Sequence, residues 1–417
     1  MPEWFNGMAW KAMVLTGLVG SNPTPSALIM RYTHFIIHYA EIGLKGKNRA
    51  FFENKLESNI EKSLQREEIN FSDVKRITGR IIIKTTQNTE IDKVTEVLKN
   101  IPGVANFSPV VKIETDLEKI KETALKIVSE EEFSSFAIDT RRSNKNFSKS
   151  SMEINEEVGA LVVDKTKKDV DLEEPDLTIH IEIARKSTFL YIKKYEGRGG
   201  LPVTTGGKAV TLLSGGIDSP VASYFIAKRG VKNIFVHFHS YPYTNHSSID
   251  KAREVVSILN KFQYDSKLYL VPFADIQKVI LDNTPEPLRI LLYRRFMFRI
   301  AEKIAQKEKA EVLATGESIG QVSSQTLENI RAVSESVQLP ILRPLIGMDK
   351  VDIIDIAKDI GTYEISIKPC QDSCTWFMPQ NPRTKAKVSE VKNAEKDLSI
   401  DDLVKEGLDS TEEEIIQ

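Results

Sequence analysis

The sequence predicts an α/β protein in which a doubly wound parallel sheet follows two smaller α+β units. Three observations predict this class. From Ala209 onward, short apolar strands alternate with helical stretches, which is typical of parallel sheets. The length of 417 residues is sufficient for two or three domains, and 41% hydrophobic with 28% charged residues is typical of globular proteins. A glycine-rich stretch over 197–207 separates the two halves.

The N-terminal half alternates strand and helix patterns, recognised by β-branched runs and by apolar residues at helical spacing. In chain order these are strand His34–Tyr39, helix Lys47–Arg66, strand Arg80–Thr85, helix Ile91–Lys99, strand Ala105–Ile113, helix Leu117–Glu130, strand Phe136–Thr140, helix Met152–Lys167 and a hairpin of Thr178–Ala184 with Thr188–Lys194.

The C-terminal half continues with regular strand–helix repeats. They are strand Ala209–Leu213, helix Pro220–Lys228, strand Ile234–His239, helix Ile249–Phe262, strand Lys267–Val271, helix Arg289–Lys307, strands Glu311–Thr315 and Ile341–Arg343, and helix Val351–Asp359. In such sheets, ligands bind beyond the carboxyl ends of the strands. Ser214, His237, Gly316 and Arg343 lie at these ends, so one shared site is predicted there.

The expected organisation has six parts. They are a non-native or disordered extension over 1–29, α+β domains over 30–88 and 89–196, a linker over 197–207, the parallel-sheet domain over 208–390, and an acidic tail over 391–417. Met30 is the expected natural start, because a clean strand pattern follows it and 1–29 does not resemble a signal peptide. The tail has no cysteine and is expected to be partly helical or disordered.

The composition excludes several classes of protein. There are only two cysteines, Cys370 and Cys374, so no disulfide framework holds the fold and a reducing, cytoplasmic compartment is expected. No apolar run approaches the ~20 residues of a membrane-spanning helix. The net charge of −2 hides Lys and Arg clusters between residues 45 and 200.

The most informative stretch is 209–219, Ala-Val-Thr-Leu-Leu-Ser-Gly-Gly-Ile-Asp-Ser. An apolar strand enters a glycine turn, and a helix with Pro220 in its first turn follows. Free N–H groups and the positive end of a helix dipole make such a turn an anion site, so Ser214, Gly215, Gly216 and Ser219 are candidates to hold a pyrophosphate. The stretch lacks the Gly-Lys-Ser/Thr of the common P-loop. The alternative is an ordinary strand–turn–helix corner.

Several motifs together resemble the tRNA 4-thiouridine synthetase family, which are tRNA sulfurtransferases with a PP-loop ATP pyrophosphatase domain. They are Ser214–Ser219, Gly316–Thr326 (Gly-Glu-Ser-Ile-Gly-Gln-Val-Ser-Ser-Gln-Thr), Arg343-Pro344-Leu345 and Glu41–Arg49, and the resemblance spans about residues 30–390. It implies a ferredoxin-like domain and a THUMP RNA-binding domain before the PP-loop domain. The implied reaction adenylates a tRNA uridine, expected at position 8, and replaces its O4 with sulfur to give 4-thiouridine.

The resemblance also implies the ATP-binding residues. They are Leu212, Leu213, Ser214, Gly215, Gly216, Ser219, His237, Phe238, Arg294, Gly316 and Gln325. Physically, Arg294 would neutralise phosphate charge and Gly316 would permit a close backbone approach; a helix-surface arginine is the alternative for Arg294. Asp218 and Lys350 match residues implicated in catalysis. Asp218 is a candidate ligand for Mg²⁺ held through the ATP phosphates, or alternatively a helix N-cap, and Lys350 is alternatively a solvated lysine of a first helical turn.

The sulfur chemistry is predicted around the two cysteines. Cys374 matches the family's acceptor cysteine, whose thiolate takes up sulfane sulfur as a persulfide. Cys370 would resolve that persulfide by forming a disulfide, or alternatively is buried and inert. Two cysteines cannot complete a zinc or iron–sulfur site by themselves. Many bacterial members carry an added rhodanese domain; it is not expected in this form, so neither is the thiamine-related role linked to that domain.

Basic clusters favour tRNA as the partner, because clustered Lys and Arg bind phosphates. The candidates are Lys45, Lys47, Arg49, Arg141, Arg142, Lys145, Lys149, Arg185 and Lys186, each of which could instead belong to a solvated face. The second partner is a sulfur donor, either a cysteine-desulfurase-type persulfide carrier or free sulfide, and a homodimer stays open. Two other functions compete: a PP-loop ligase that adenylates a small molecule, and a non-catalytic RNA-binding protein.

Overall fold

The computed structural model describes residues 32–144, 147–185, 187–369 and 379–417. The predicted Met30 start and the extension over 1–29 lie outside these ranges, as do Lys145, Lys186, Cys370 and Cys374. The described residues form one nine-stranded sheet and one six-stranded sheet, each covered by helices, which confirms the predicted fold class. Within these residues no helix is both long and apolar enough to cross a bilayer.

The first unit is a four-stranded antiparallel arrangement backed by two helices. Its elements are β1 His34–His38, α1 Arg49–Arg66, β2 Phe71–Ile77, β3 Arg80–Thr85, α2 Ile91–Lys99 and β4 Asn106–Ile113. β1 is central and pairs with both β3 and β4. The predicted boundary at residue 88 is wrong, because α2 buries Val94 and Leu98 in the core of this unit and β4 completes its sheet.

The second unit extends the same sheet. Its elements are α3 Leu117–Val128, β5 Ser135–Arg142, α4 Ser151–Thr166, β6 Asp169–Val170, β7 Leu177–Ile183, β8 Thr188–Tyr191 and β9 Tyr195–Glu196. The predicted hairpin is present as the antiparallel pair β7–β8. β8 also pairs with β4, so the strand order runs β2-β3-β1-β4-β8-β7-β5-β6 without a break. Helices α3 and α4 cover one face, with Ile120 and Val158 buried against it.

The C-terminal unit is the doubly wound sheet. Its first elements are β10 Lys208–Leu212, α5 Asp218–Lys228, β11 Lys232–His239, α6 Ser247–Gln263, β12 Ser266–Pro272, α7 Ala274–Asn283, α8 Arg289–Glu308, β13 Val312–Ala314, α9 Leu327–Ser334, β14 Ile341–Leu342, α10 Lys350–Asp359 and α11 Tyr363–Ser366. Strands β14, β13, β10, β11 and β12 are parallel neighbours in that order. Because every connection crosses over, their carboxyl ends meet at one edge.

The segment over 197–207 is a packed connection, not a free spacer. Leu201 and Val203 are buried, and Val203 accepts a hydrogen bond of 3.2 Å from the Asn59 side chain in α1. Gly200 has φ of +76°, and a Cβ there would lie 2.1 Å from the carbonyl oxygen of Lys228. Only glycine fits this contact between the connection and the sheet domain.

The predicted acidic tail is also wrong, because its residues complete the C-terminal domain. They form α12 Val388–Ala394, α13 Ile400–Asp409 and β15 Glu412–Ile416, which pairs antiparallel with β12. The carboxylate of Glu395, 5% exposed, binds Arg295 at 2.6 Å and Arg299 at 2.8 Å. The acidic composition suggested solvation, yet several of these carboxylates neutralise basic side chains of the domain.

Candidate functional site

The loop after β10 is shaped by two serines. The backbone N–H of Ser214 donates to the Oγ of Ser219 at 2.9 Å, and the Ser219 hydroxyl donates back to the Ser214 carbonyl oxygen at 3.2 Å. The N–H of Gly216 donates to the Ser214 hydroxyl at 3.3 Å. These bonds close the turn so that helix α5 begins at the loop, with its N-terminal dipole at the carboxyl edge of the sheet.

A cavity of about 400 Å³ opens at this edge. It brings together most of the residues predicted for ATP, namely Leu212, Leu213, Ser214, Ser219, His237, Phe238, Arg294, Gly316 and Gln325. Gly215 and Gly216 lie in the loop but are not among the lining residues. The sequence did not predict the apolar wall that Ile290, Met297 and Phe298 add from α8.

His237 and Phe238 connect β11 to this cavity. The buried ring of His237 donates from Nδ1 to the Leu213 carbonyl oxygen at 2.9 Å, which ties the ends of β10 and β11 together. The Phe238 ring meets Phe273 edge to face, with centroids 5.4 Å apart. Both side chains are therefore held by packing, and the wall they form is rigid.

Gly316 makes the closest backbone contact of the site. A Cβ at this position would lie 2.6 Å from the backbone nitrogen of Ser219 and 2.7 Å from the carbonyl carbon of Asp218. The close approach expected of Gly316 is therefore to the first turn of α5. Gln325, nine residues further on, accepts a hydrogen bond from the Ser318 N–H at 3.3 Å and so closes the Gly316–Gln325 loop.

Arg294 belongs to a buried ion cluster and is not a surface arginine. Its guanidinium pairs with Glu317 and donates to the Ser324 hydroxyl at 3.2 Å. Arg343 pairs with the same carboxylate at 2.6 Å, and Glu317 is only 3% exposed. Burial alone would raise the pKa of Glu317, but the two arginines hold this pKa below its usual range. One ionised carboxylate thus orients Arg294 at the cavity and also holds Arg343, which is not among the lining residues.

Asp218 and Lys350 meet across the site. The Lys350 ammonium pairs with one carboxylate oxygen of Asp218, and the Gln321 amide donates to the other at 2.7 Å. The N-cap alternative for Asp218 is wrong, because α5 begins at Asp218 and no side chain caps its N-terminus. Sequence reasoning missed Gln321, although it lies within the Gly316–Thr326 motif.

The chain on either side of the cysteines is anchored to the C-terminal domain. The Lys251 ammonium donates to the carbonyl oxygens of Ser366 at 2.8 Å and Lys368 at 2.7 Å, just before Cys370. Beyond the cysteines, the Asn329 amide donates both to Ser323, in the cavity wall, and to Arg383. The peptide ends that flank the cysteines are therefore fixed to this domain.

No cluster of three or more His, Cys, Asp or Glu side chains with metal-binding geometry occurs within 32–144, 147–185, 187–369 and 379–417. Two carboxylates line the cavity: that of Asp218, beside the phosphate loop, and that of the buried Glu317.

Most of the predicted tRNA-binding residues have partners within the protein. Arg49 binds Glu53 at 2.8 Å, Arg142 donates to the carbonyl oxygens of Phe147 and Lys149, and the Lys149 ammonium binds Glu157 at 2.7 Å. Lys45 lies over the ring of Phe52, 5.0 Å from its centroid. Lys47 is exposed, and the Arg141 side chain is 69% exposed with an ion pair to Asp139.

A basic groove of about 850 Å³ lies on the face of the nine-stranded sheet opposite α3 and α4. We define the basic groove by Lys75, Lys84, Lys112 and Arg185, which line it together with His34 and with Asp73, the ion-pair partner of Lys75. Burial, and then Lys112 and Lys84, lower the pKa of His34 to about 4, so the lysines provide the positive charge. Of the predicted residues, Arg185 lines this groove.

The sequence could have indicated the groove through strand alternation. Ile82 and Lys84 are two residues apart on β3, and Val110 and Lys112 are two residues apart on β4. Residues i and i+2 of a strand share a face. Each strand contributes one lysine beside a buried apolar residue, and these lysines come together only when the strands pair in the sheet.

Family models match three consecutive parts of the chain. A ThiI ferredoxin-like domain matches residues 34–108, a THUMP domain matches 114–193, and a family described as thiamine biosynthesis protein (ThiI) matches 204–400. Each match falls on one of the three units described above.

Curated relatives match along almost their full length. A probable tRNA sulfurtransferase of Natranaerobius thermophilus is 42% identical over 395 residues, covering 91% of this chain and 95% of the relative. One from a Thermoanaerobacter species is 42% identical over 385 residues, covering 92% and 98%. A crystal structure of a 4-thiouridine synthetase–RNA complex with bound ATP matches with a TM-score of 0.84 and 39% identity, covering 93% of this chain and 100% of that one.

The close contact at Gly316 generates a prediction. Gly316→Ala is expected to push the Gly316–Gln325 loop away from α5 and to weaken binding of ATP, the ligand predicted for this cavity, about tenfold, since overpacking costs about 1–3 kcal/mol. Titration calorimetry measures the affinity. Gly347→Ala is the control, because a Cβ at Gly347 would meet no atom within 4 Å. Equal ATP affinity of the two variants would contradict the contact's role.

Proposed function

The chain belongs to the tRNA sulfurtransferase family, and on that premise we propose which of its residues carry each step of the reaction. The enzyme uses ATP to adenylate a tRNA uridine and replaces the activated oxygen with sulfur, giving 4-thiouridine. The relatives span both N-terminal units as well as the PP-loop domain, which leaves no support for a ligase of small molecules or for a non-catalytic RNA-binding protein.

One observation carries the assignment of the adenylation site. Five residues line one cavity at one edge of the sheet: Ser214 and Ser219 of the phosphate loop, Asp218, Arg294 and Glu317. Lys350 and Arg343 do not line it but are ion-paired with Asp218 and Glu317. We assign adenine to the apolar side near Phe238 and Phe298, and the phosphates to Ser214–Ser219. The Arg294 guanidinium then neutralises phosphate charge, which stabilises negative charge where it develops.

Adenylation follows from this placement. The uridine O4 attacks the α-phosphorus, the bond to the pyrophosphate oxygen breaks, and the uridine loses its N3 proton. Lys350 offsets charge on the attacked phosphate once ATP separates it from Asp218. Mg²⁺ fits this site through Asp218, because nucleotide enzymes hold Mg²⁺ with one or two carboxylates and the phosphates themselves. When bound, it neutralises phosphate charge.

Sulfur transfer is assigned to Cys374. Its persulfide attacks C4 of the adenylated uridine, and AMP leaves. The Cys370 thiolate then attacks the Cys374 sulfur, which releases 4-thiouridine and leaves a Cys370–Cys374 disulfide that a thiol reductant must reopen. A persulfide carrier transfers its outer sulfane sulfur to the Cys374 thiolate and leaves as a thiol. Free sulfide would instead attack C4 of the adenylated uridine directly, with AMP as the leaving group and no step at the cysteines. We also propose a reducing, cytoplasmic setting for the protein, because this chemistry needs free thiols.

The tRNA backbone is assigned to the basic groove. This groove of the N-terminal sheet is lined by Lys75, Lys84, Lys112 and Arg185. Clusters of basic side chains bind phosphates in a salt-dependent manner. Arg141 and Lys47, which are exposed but do not line the groove, are further candidates for phosphate contacts. Arg142 and Lys149 support the fold instead, since their side chains bond within the protein.

The Asp218–Lys350 pair gives the first functional prediction. Asp218→Asn and Lys350→Gln are each expected to lower tRNA-dependent release of AMP and pyrophosphate about 10²–10³-fold, the usual effect of removing one electrostatic contact to a transition state. Asp355→Asn, which makes the same charge change at an exposed position of α10, is the control. Wild-type turnover by Asp218→Asn would refute the assignment.

The basic groove gives the second functional prediction. Lys84→Ala with Lys112→Ala is expected to weaken tRNA binding and to reduce the slope of log K against log salt by about one for each lost phosphate contact, while ATP affinity is unchanged. Filter binding across a salt series measures this. The matched control is Lys126→Ala with Lys165→Ala, which removes the same charge from α3 and α4 on the opposite side of the sheet. An identical salt slope in both double variants would exclude the groove as the phosphate site.

A further inference from the structure

We propose that the loop over 240–246 is the stacking platform for the unstacked target base of the tRNA. We name it the aromatic loop and define it by Tyr241, Tyr243 and His246. The inference rests on the proposed function, because it names the surface that presents the uridine to the adenylation site. It concerns rings that the ATP site does not use, since none of the three lines the cavity.

The aromatic loop begins where the cavity wall ends. Phe238, in the cavity wall, precedes Tyr241 by three residues, so their Cα atoms are at most about 11 Å apart. The Tyr243 N–H donates to the Ser240 carbonyl oxygen at 2.8 Å, which turns the chain back toward the end of β11. The loop therefore stands at the carboxyl edge of the sheet, next to the predicted nucleotide site.

The rings of this loop face outward, although the loop's base is buried. Tyr241 is 45% exposed and Tyr243 is 42% exposed. Beneath them, the fully buried Ser240 hydroxyl donates to Gln277 at 2.6 Å, and the Thr244 N–H donates to the Ser240 carbonyl oxygen at 3.1 Å. A fixed base with exposed rings is a pre-organised surface, so binding there costs little loop ordering.

The groups around the rings match a nucleotide. Tyr241 and His246 lie ring against ring with centroids 4.1 Å apart, which forms a composite aromatic surface. The Lys278 ammonium lies over one face of the Tyr243 ring, 4.3 Å from its centroid, and also pairs with Asp275 at 2.9 Å. The other face of this ring is the one assigned to a base, with the cation behind it. Aromatic rings that stack bases, next to a cation that meets the backbone phosphate, are how proteins hold single-stranded nucleotides.

An unstacked base is also what the chemistry requires. Enzymes that modify a base must expose its reacting atom, and the exposed base needs a surface to replace its lost stacking. The adenine of ATP has its own apolar wall at Phe238 and Phe298, on the cavity side of β11. The aromatic loop is thus assigned to the tRNA base and not to ATP.

The test is a substitution series at both tyrosines in the full-length enzyme. Tyr241→Ala with Tyr243→Ala is expected to lower kcat/KM for tRNA-dependent AMP release roughly 10- to 100-fold, the range for loss of base stacking on one or two rings. ATP affinity, measured by calorimetry, should change less than about twofold. The assay contains tRNA and ATP but no sulfur donor, so only the activation step is measured.

Two further variants separate stacking from structure. Tyr241→Phe with Tyr243→Phe should restore most of the lost kcat/KM, because the rings remain, whereas the corresponding Leu pair should not. Ile415→Ala is the external control; this exposed residue lies on β15 beside Lys267, at the opposite edge of the same sheet. It should behave as the unaltered enzyme.

Direct evidence comes from a tRNA with 2-aminopurine at the target position. Its fluorescence should be lower in the complex with the unaltered enzyme, where the rings replace the lost stacking, than in the complex with the Ala pair; equal fluorescence of the two complexes would contradict the platform. Any of three results would overturn the platform proposal: wild-type kcat/KM for the Ala pair, equal losses of kcat/KM for the Phe and Ala pairs, or a parallel loss of ATP affinity. If the unaltered enzyme released no AMP with any tRNA, the proposed function itself would have failed.

Discussion

The buried carboxylate of Glu317 is the interaction on which the geometry of the ATP cavity depends. It accepts from Thr315 at 2.9 Å after β13, pairs with Arg294 of α8, and pairs with Arg343 after β14. Removing this carboxylate would leave two guanidinium groups without compensation in a buried setting, which is costly. Because pairing lowers its pKa, the stabilisation that Glu317 contributes is present above the unfolded pKa and is lost as the pH falls through the folded one.

The fixed position of Glu317 explains how one edge of the sheet can take both proposed reactants, ATP and the tRNA uridine. Glu317 holds Arg294 in place, while the contact of Gly316 with the first turn of α5 fixes the phosphate loop beside it. Asp218 and Lys350 form an ion pair beside these fixed parts, and in the proposed reaction ATP separates them. The basic groove lies on the nine-stranded sheet and shares no lining residue with the cavity at this edge. The proposal therefore assigns binding of the tRNA backbone and activation of the base to different residues.

The sequence was sufficient for the fold class and for predicting that most of the candidate ATP residues lie together, because both depend on local patterns; their role in binding ATP stays a prediction. Ser214, His237 and Gly316 follow strands, and parallel strands bring such positions together. The role of Glu317 was missed, since a glutamate after a glycine gives no sign of burial. Lys75, Lys84 and Lys112 were missed because they are scattered along three strands. The domain boundary predicted at residue 88 was wrong because α2 joins a core made by earlier elements. The prediction of a separate acidic tail was wrong because Glu395 pairs with Arg295, which is distant in sequence.

The central claim is that activation of the uridine and delivery of sulfur are performed by separate groups of one chain. The most direct measurement compares the unaltered enzyme with Cys374→Ser, using tRNA, ATP and a persulfide donor, and quantifies AMP and 4-thiouridine in the same reaction. The account predicts that Cys374→Ser still activates tRNA with ATP but forms no 4-thiouridine, because a hydroxyl cannot carry sulfane sulfur. Formation of 4-thiouridine by Cys374→Ser at the unaltered rate would contradict it.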